Sequence, residues 1–357
     1  MSVALPFIPE HGGADSGPTP RHDFSSNASP MGPPPALWQA VLDADRSRYP
    51  DPQYRALRQL LAAAHGLEDG ERVLPASGGA EAIRRLSLAA LRAGLRHVWL
   101  PSPGFADYEA AALALGLQVH GYASSQELVQ GLGRQEDGLP CAAPALVWVC
   151  DPCNPTGASF SLDEWMVLDL ALQDGDSILA VDQAYQPLRL DGVCALPADL
   201  AERAWRLVCP NKALGLTGVR AAYLLAPAAC PLQALALQLA PSWVLASEGC
   251  ALLQAWCRPE TERYLSQVRA QLREWRQDQR ALLAELGWQQ DDETNSCSNF
   301  WLTRPTQDSD SLLRALRQRG IKLRDARSFG LPGWLRVSTQ PPSAQAALYQ
   351  AIKDLPR

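Results

Sequence analysis

Ala145-Leu146-Val147-Trp148-Val149-Cys150 runs directly into Asp151-Pro152-Cys153-Asn154-Pro155-Thr156-Gly157. An unbroken apolar run followed by a turn-rich polar loop reads as a strand buried on both faces. Working outward, short strands are predicted at Arg72–Leu74, His97–Leu100, Leu117–Tyr122, Ser177–Val181, Arg206–Cys209 and Ala221–Leu225. Helical patterns separate several of them, over Gly79–Ala93, Ala106–Leu115 and Leu162–Leu172. The last begins with Ser161 and Glu164, the spacing of a capping box. Short apolar strands alternating with helices imply a largely parallel sheet, and ligands bind at the carboxyl ends of such strands.

The flanks differ. Residues 1–35 are rich in Pro, Gly, Ser and Asn and read as an extended arm. Helices are predicted at Ala36–Arg46 and Gln53–His65, separated by the rigid turn Tyr49-Pro50-Asp51-Pro52. Leu252–Leu286 reads as one long helical tract, followed by a strand at Asn299–Leu302, a helix at Asp310–Arg319, a strand at Trp334–Ser338 and a closing helix at Ser343–Lys353. The expected organisation is therefore an arm over 1–35 belonging to a small domain, a large domain over 36–245, and a small α+β domain over 246–357.

The chain has 357 residues, 32 basic and 38 acidic side chains, and is 47% hydrophobic and 20% charged. That composition excludes a disordered protein, and a net charge of −6 argues against a nucleic-acid partner. The apolar run around Leu232–Leu245 is interrupted by Gln233, Gln238, Pro241 and Ser242, so no membrane span is expected. No secretory signal is evident in residues 1–30. The nine cysteines lack regular spacing, which suits reduced thiols in a cytoplasmic protein. Cys150 and Cys153 have C-x-x-C spacing, but no second pair completes a zinc shell, so no metal is expected.

Four strand-end loops carry the chemistry. Ser77-Gly78-Gly79-Ala80 opens a helix, where free N–H groups and the helix dipole favour a phosphate. Asn154-Pro155-Thr156-Gly157 follows the most apolar strand. Asp182-Gln183-Ala184-Tyr185 places a carboxylate at a buried strand end, which is costly without a cation or proton donor. Cys209-Pro210-Asn211-Lys212 precedes Gly215, Gly218, Arg220 and Tyr223. An anion cup, a strand-end Asp, a Tyr and a Lys together suit pyridoxal phosphate. Its ring nitrogen needs a carboxylate, its aldehyde an amine, and its phosphate N–H groups and an Arg.

These motifs, with Leu335-Arg336-Val337, occur in family order, and the chain resembles a fold-type I pyridoxal-phosphate enzyme of the class I/II aminotransferase superfamily. It is similar to the histidinol-phosphate aminotransferase branch and, closer still, to the threonine-phosphate decarboxylases of cobalamin biosynthesis. The latter likeness rests on His11-Gly12-Gly13, Asp23-Phe24-Ser25-Ser26-Asn27, Arg48-Tyr49-Pro50-Asp51, Pro103-Gly104-Phe105-Ala106-Asp107-Tyr108 and Ile321-Lys322-Leu323-Arg324-Asp325. The resemblance implies a three-layer α/β/α fold around a mostly parallel sheet.

The resemblance also implies roles. Lys212 would join the cofactor aldehyde and move protons, and Asp182 would pair with the ring nitrogen. Tyr185 and Asn154 would bond the ring oxygen, and Phe105 would stack on the ring. Gly79, Ala80, Asn211 and Arg220 would hold the phosphate. Tyr49 would reach the phosphate of a neighbouring subunit, so a homodimer is expected. Arg336 would bind the substrate carboxylate with help from Asn27, and His11 and Arg324 would bind a substrate phosphate. The implied reaction is decarboxylation of L-threonine O-3-phosphate to (R)-1-amino-2-propanol O-2-phosphate, with a histidinol-phosphate type aminotransferase as the alternative. Ser77, Gln183, Cys209 and Ala246 depart from the family pattern, which touches the phosphate cup and the substrate more than the Lys, Asp and Arg.

Overall fold

The structure is a computed structural model and describes residues 9–133, 143–173, 175–228, 230–291 and 295–355. Residues 1–8 of the expected arm lie outside these. Seven strands form the main sheet: β1 (Val73–Ala76), β2 (His97–Pro101), β3 (Gln118–Tyr122), β4 (Ala145–Cys150), β5 (Ile178–Asp182), β6 (Trp205–Val208) and β7 (Ala222–Leu225). Their order is β1-β7-β6-β5-β4-β2-β3. β7 is antiparallel to both of its neighbours, and the remaining pairs are parallel.

β4 shows why an apolar run was needed. Leu146, Trp148 and Cys150 pack into the core on one face, with Leu86 and Leu224. Ala145, Val147 and Val149 pack into the core on the other, with Trp165 and Leu168. A two-period pleat covered on both sides leaves no polar position in the strand. The buried Leu and Val side chains each stabilise the fold by roughly 1.5–3 kcal/mol.

A second, antiparallel sheet contains β8 (Gln289–Gln290), β9 (Phe300–Arg304), β10 (Arg324–Asp325) and β11 (Leu335–Ser338), in the order β10-β11-β9-β8. Its apolar face, with Trp301, Leu335 and Val337, packs on Leu283, Leu312, Leu348 and Phe24. Phe24 belongs to the N-terminal segment, where His22–Asp23 pairs in parallel with Ile321–Lys322. Described arm residues are thus ordered against the second sheet.

The predicted long tract over Leu252–Leu286 is corrected. Two helices occupy it, Ser247–Trp256 and Pro259–Glu285, with Cys257 and Arg258 between them. Pro259 has no N–H to continue the first helix, yet it suits the first turn of the second. The helix Ser125–Leu132, capped by Ser124, also forms where no element was predicted. The capping box at Ser161 and Glu164 forms in both directions, at 3.2 and 2.7 Å. Among the described residues, no helix is long and apolar enough to cross a membrane.

Candidate active site

The carboxyl ends of β1, β2, β4, β5 and β6 deliver their loops to one cavity of about 380 Å³. Asp182, the last residue of β5, is buried there. Its Oδ1 accepts the Ala184 N–H at 2.8 Å, and its Oδ2 accepts the Tyr108 hydroxyl at 2.6 Å. Burial pushes this carboxyl up, and the nearby Lys212, the Tyr108 hydroxyl and the Ala184 N–H oppose the push without cancelling it.

Lys212 sits in the short helix Pro210–Ala213 that follows β6 and lines the same cavity. Its Nζ lies 4.2 Å from the ring centroid of Tyr185 and 5.7 Å from that of Phe105. Burial draws the ammonium down, but Tyr185, Cys209 and Asp182 outweigh it, so the net shift is upward. An amine and a buried acid therefore share one enclosure between two aromatic walls.

The loop predicted to be an anion cup leads into the helix Gly79–Arg92. Gly78 has φ +86°, and a Cβ there would lie 2.2 Å from Arg220 Nη2. Only a bare α-carbon lets the guanidinium approach that closely. Gly79, Ala80, Asn211 and Arg220 all line the cavity. Cys209 lines it too, and burial with the Asp182 charge pushes its thiol up to about 12, so it remains neutral. The Ser77 N–H is engaged by Glu81 at 3.2 Å. Gln183 and Ala246 are not among the lining residues, and Ala246 precedes the helix Ser247–Trp256.

The opposite wall comes from the second sheet and the arm. Arg336 on β11 is buried, donating from Nη1 to Asn154 Oδ1 at 2.5 Å and from Nη2 to the Ser25 carbonyl at 2.6 Å. Burial pushes it down to about 10, which leaves it cationic at neutral pH. Arg324, also buried, donates to the Glu10 carboxylate at 2.5 Å and to the Glu10 carbonyl at 2.7 Å. Phe329 lies under both guanidinium groups, at 4.9 and 5.7 Å. Asn27 donates to the Tyr185 hydroxyl at 3.2 Å, and its buried Oδ1 has no hydrogen-bond partner among the described residues. His11 lines the rim, 3.4 Å from Asp107.

The structure thus brings to one cavity every residue given a site role from the sequence except Tyr49. That side chain is 76% exposed, stacks on Trp243 at 4.3 Å and is not among the residues lining the cavity. Sequence reasoning gives no role to Glu10, Ser25 or Tyr108, although Ser25 and Tyr108 stand within quoted motifs and the spacing of Tyr108 from Phe105 was an available signal.

The arrangement matches known proteins along nearly its whole length. Residues 20–355 fit the model of the family described as aminotransferase class I and II. The chain belongs to that family. A histidinol-phosphate aminotransferase of Ruegeria sp. (strain TM1040) is 31% identical over 340 residues, which is 93% of this chain and 90% of the relative. An L-threonine-O-3-phosphate decarboxylase structure from Porphyromonas gingivalis superposes with a TM-score of 0.74 at 22% identity, covering 92% of this chain and 98% of that one. A histidinol-phosphate aminotransferase of Sinorhizobium meliloti, in complex with pyridoxal-5'-phosphate, superposes with a TM-score of 0.75 at 22% identity, covering 95% and 92%. As a class I and II aminotransferase family member of fold type I, the chain joins enzymes that use pyridoxal 5'-phosphate. Among the described residues, no group of three or more His, Cys, Asp or Glu side chains could hold a metal, and Cys150 and Cys153 are free thiols.

Proposed function

We propose that this chain is a pyridoxal 5'-phosphate enzyme acting at the amino group of a small phosphorylated amine or amino acid. The observation that carries the reading is the shared cavity. It holds a buried acid, Asp182, an amine, Lys212, and a buried cation, Arg336, whose hydrogen-bond partners are neutral oxygens. The fit to the cofactor rests on the Gly78–Arg220 approach, which holds a guanidinium against the start of the helix, and on Asp182, which lacks any cation but Lys212 among the neighbours that shift it.

In this reading Lys212 takes the aldehyde and Asp182 the ring nitrogen. Asn154 and Tyr185 take the ring oxygen, and Phe105 takes the ring face. Gly79, Ala80, Asn211 and Arg220 take the phosphate. Bound there, the cofactor supplies an electron sink conjugated to the substrate nitrogen. The chain's residues do the rest. Arg336 and Asn27 orient a carboxylate, Arg324 and His11 a phosphate, and the arm excludes water at the rim. Lys212, once free, is the base and acid at Cα. The exposed Tyr49, beside exposed Trp243, suits a second copy of the chain, with Tyr49 entering that copy's cup.

Transamination of the histidinol-phosphate type is favoured by the 31% identical relative. Decarboxylation of L-threonine O-3-phosphate is the second reading, and one observation favours it. The His11-Gly12-Gly13 segment is seated at the cavity, where a Cβ on Gly12 would lie 2.0 Å from the Ser25 carbonyl and 3.2 Å from Arg336 Nη2. Which bond at Cα breaks depends on how the arm and both arginines orient the substrate. The test gives the reconstituted enzyme each substrate in turn. Carbon dioxide from threonine phosphate supports the second reading. Glutamate formed as histidinol phosphate passes its amino group to 2-oxoglutarate, leaving the matching oxo phosphate, supports the first, and inertness toward both removes the proposal.

A further inference from the structure

Tyr108 has no part in the roles given above, yet it makes a short contact with Asp182, which lines the cavity. Its hydroxyl donates to Asp182 Oδ2 at 2.6 Å, and both side chains are buried. We propose that Tyr108 is a positioning residue, fixing the orientation of the Asp182 carboxylate and thereby setting the site's preference for a ring that presents a protonated nitrogen. This rests on the pyridoxal phosphate reading and deepens it.

The argument is geometric. A carboxylate in a helix or strand-end position rotates about its terminal bond unless both oxygens are held. Here the Ala184 N–H holds Oδ1 at 2.8 Å and Tyr108 holds Oδ2. Each oxygen keeps a second lone pair for a further donor. Tyr108 is itself immobilised. It stacks on Trp148 at 5.1 Å with planes 26° apart, and meets Phe105 edge-on at 5.8 Å and 88°. One packed aromatic unit therefore links the residue at the ring face to the acid at the ring nitrogen. Tyr108 adds no charge, because burial and the Asp182 carboxylate push its phenol well up and keep it a proton donor. Lys212, by contrast, stabilises Asp182 through charge. When the cofactor engages that amine, the neutral donors remain.

A Tyr that only fills the core would affect any ring-shaped ligand equally. The experiment compares two ligands. Apo wild type and Tyr108→Phe are titrated with pyridoxal 5'-phosphate and with its 1-deaza analogue, in which C–H replaces the ring nitrogen. The Phe variant is expected to lose about ten- to a hundred-fold in affinity for the natural cofactor, the usual range for a hydrogen bond to a charged group. Its affinity for the deaza analogue is expected to change by less than about threefold. Tyr108→His, which retains a neutral N–H donor, is the second variant and is expected to keep part of the preference. Equal losses for both ligands, no loss for the natural cofactor, or a His variant as indiscriminate as the Phe variant would overturn the role of Tyr108. A wild type that binds both ligands equally would instead overturn the ring-nitrogen reading of Asp182, and this proposal with it.

Discussion

Arg324 and Arg336 stand directly opposite each other on adjacent antiparallel strands, and both line the same cavity. Like charges in that register repel, and the cost grows with burial. Glu10 relieves Arg324, whereas Arg336 is held by the neutral oxygens of Asn154 and Ser25. On the proposed reading, Arg324 receives a substrate phosphate and Arg336 a carboxylate.

Replacing Arg336 tests the carboxylate half of this statement. Arg336→Ala is expected to raise KM for the amino substrate by about 30-fold or more, because losing one partner of a buried charged pair costs about 2–5 kcal/mol. Cofactor affinity is expected to stay within a few-fold. Arg336→Lys is expected to recover little, since an ammonium cannot form the two parallel hydrogen bonds of a guanidinium. Steady-state kinetics and cofactor titration on the same variants check both parts.

Glu10 bears on the phosphate half. Its carboxylate is more than half exposed and pairs with the buried Arg324. On the proposed reading, a substrate phosphate displaces it. Glu10→Gln is therefore expected to lower KM for a phosphorylated substrate by about two- to fivefold, the scale of an exposed ion pair of up to about 1 kcal/mol. The same variant should leave KM for an unphosphorylated analogue unchanged, which a kinetic comparison of the two substrates reads directly.

Acid stability is expected to depend on His65. Its Nε2 lies 2.8 Å from the Tyr223 hydroxyl, and burial, with the Arg206 charge, pushes it from 6.5 down to about 4. The folded state thus holds a neutral imidazole where the unfolded chain would protonate. This contribution is fully present above the ordinary histidine value and is lost as pH falls from there toward 4. It amounts to at most about 3 kcal/mol. Urea unfolding of wild type and His65→Gln at about pH 7.5 and about pH 5 should show a smaller pH difference in the variant. An equal pH difference in the two proteins would contradict this account of His65.

Much of the fold was legible because burial leaves a plain mark. β4 and β5, covered on both faces, are continuous apolar runs, and their polar loops announce themselves by contrast. The site was legible wherever a loop followed such a strand, as at Asn154, Asp182 and Lys212. Contacts between distant segments left no local trace. Glu10 meets Arg324 across 314 positions, and Tyr108 meets Asp182 across 74. On its helix Tyr108 looks like any core aromatic, and nothing nearby in sequence says that its hydroxyl has a buried acid to face. The break before Pro259 was visible, but a helical pattern on both sides of it hid the boundary.

The account stands or falls on the amine at position 212. The most direct measurement incubates the purified chain with pyridoxal 5'-phosphate, reduces it with borohydride and maps the labelled peptide by mass spectrometry. The account predicts a single phosphopyridoxyl group on Lys212, absent from Lys212→Ala. Label spread over surface lysines, or label that persists in that variant, would contradict it.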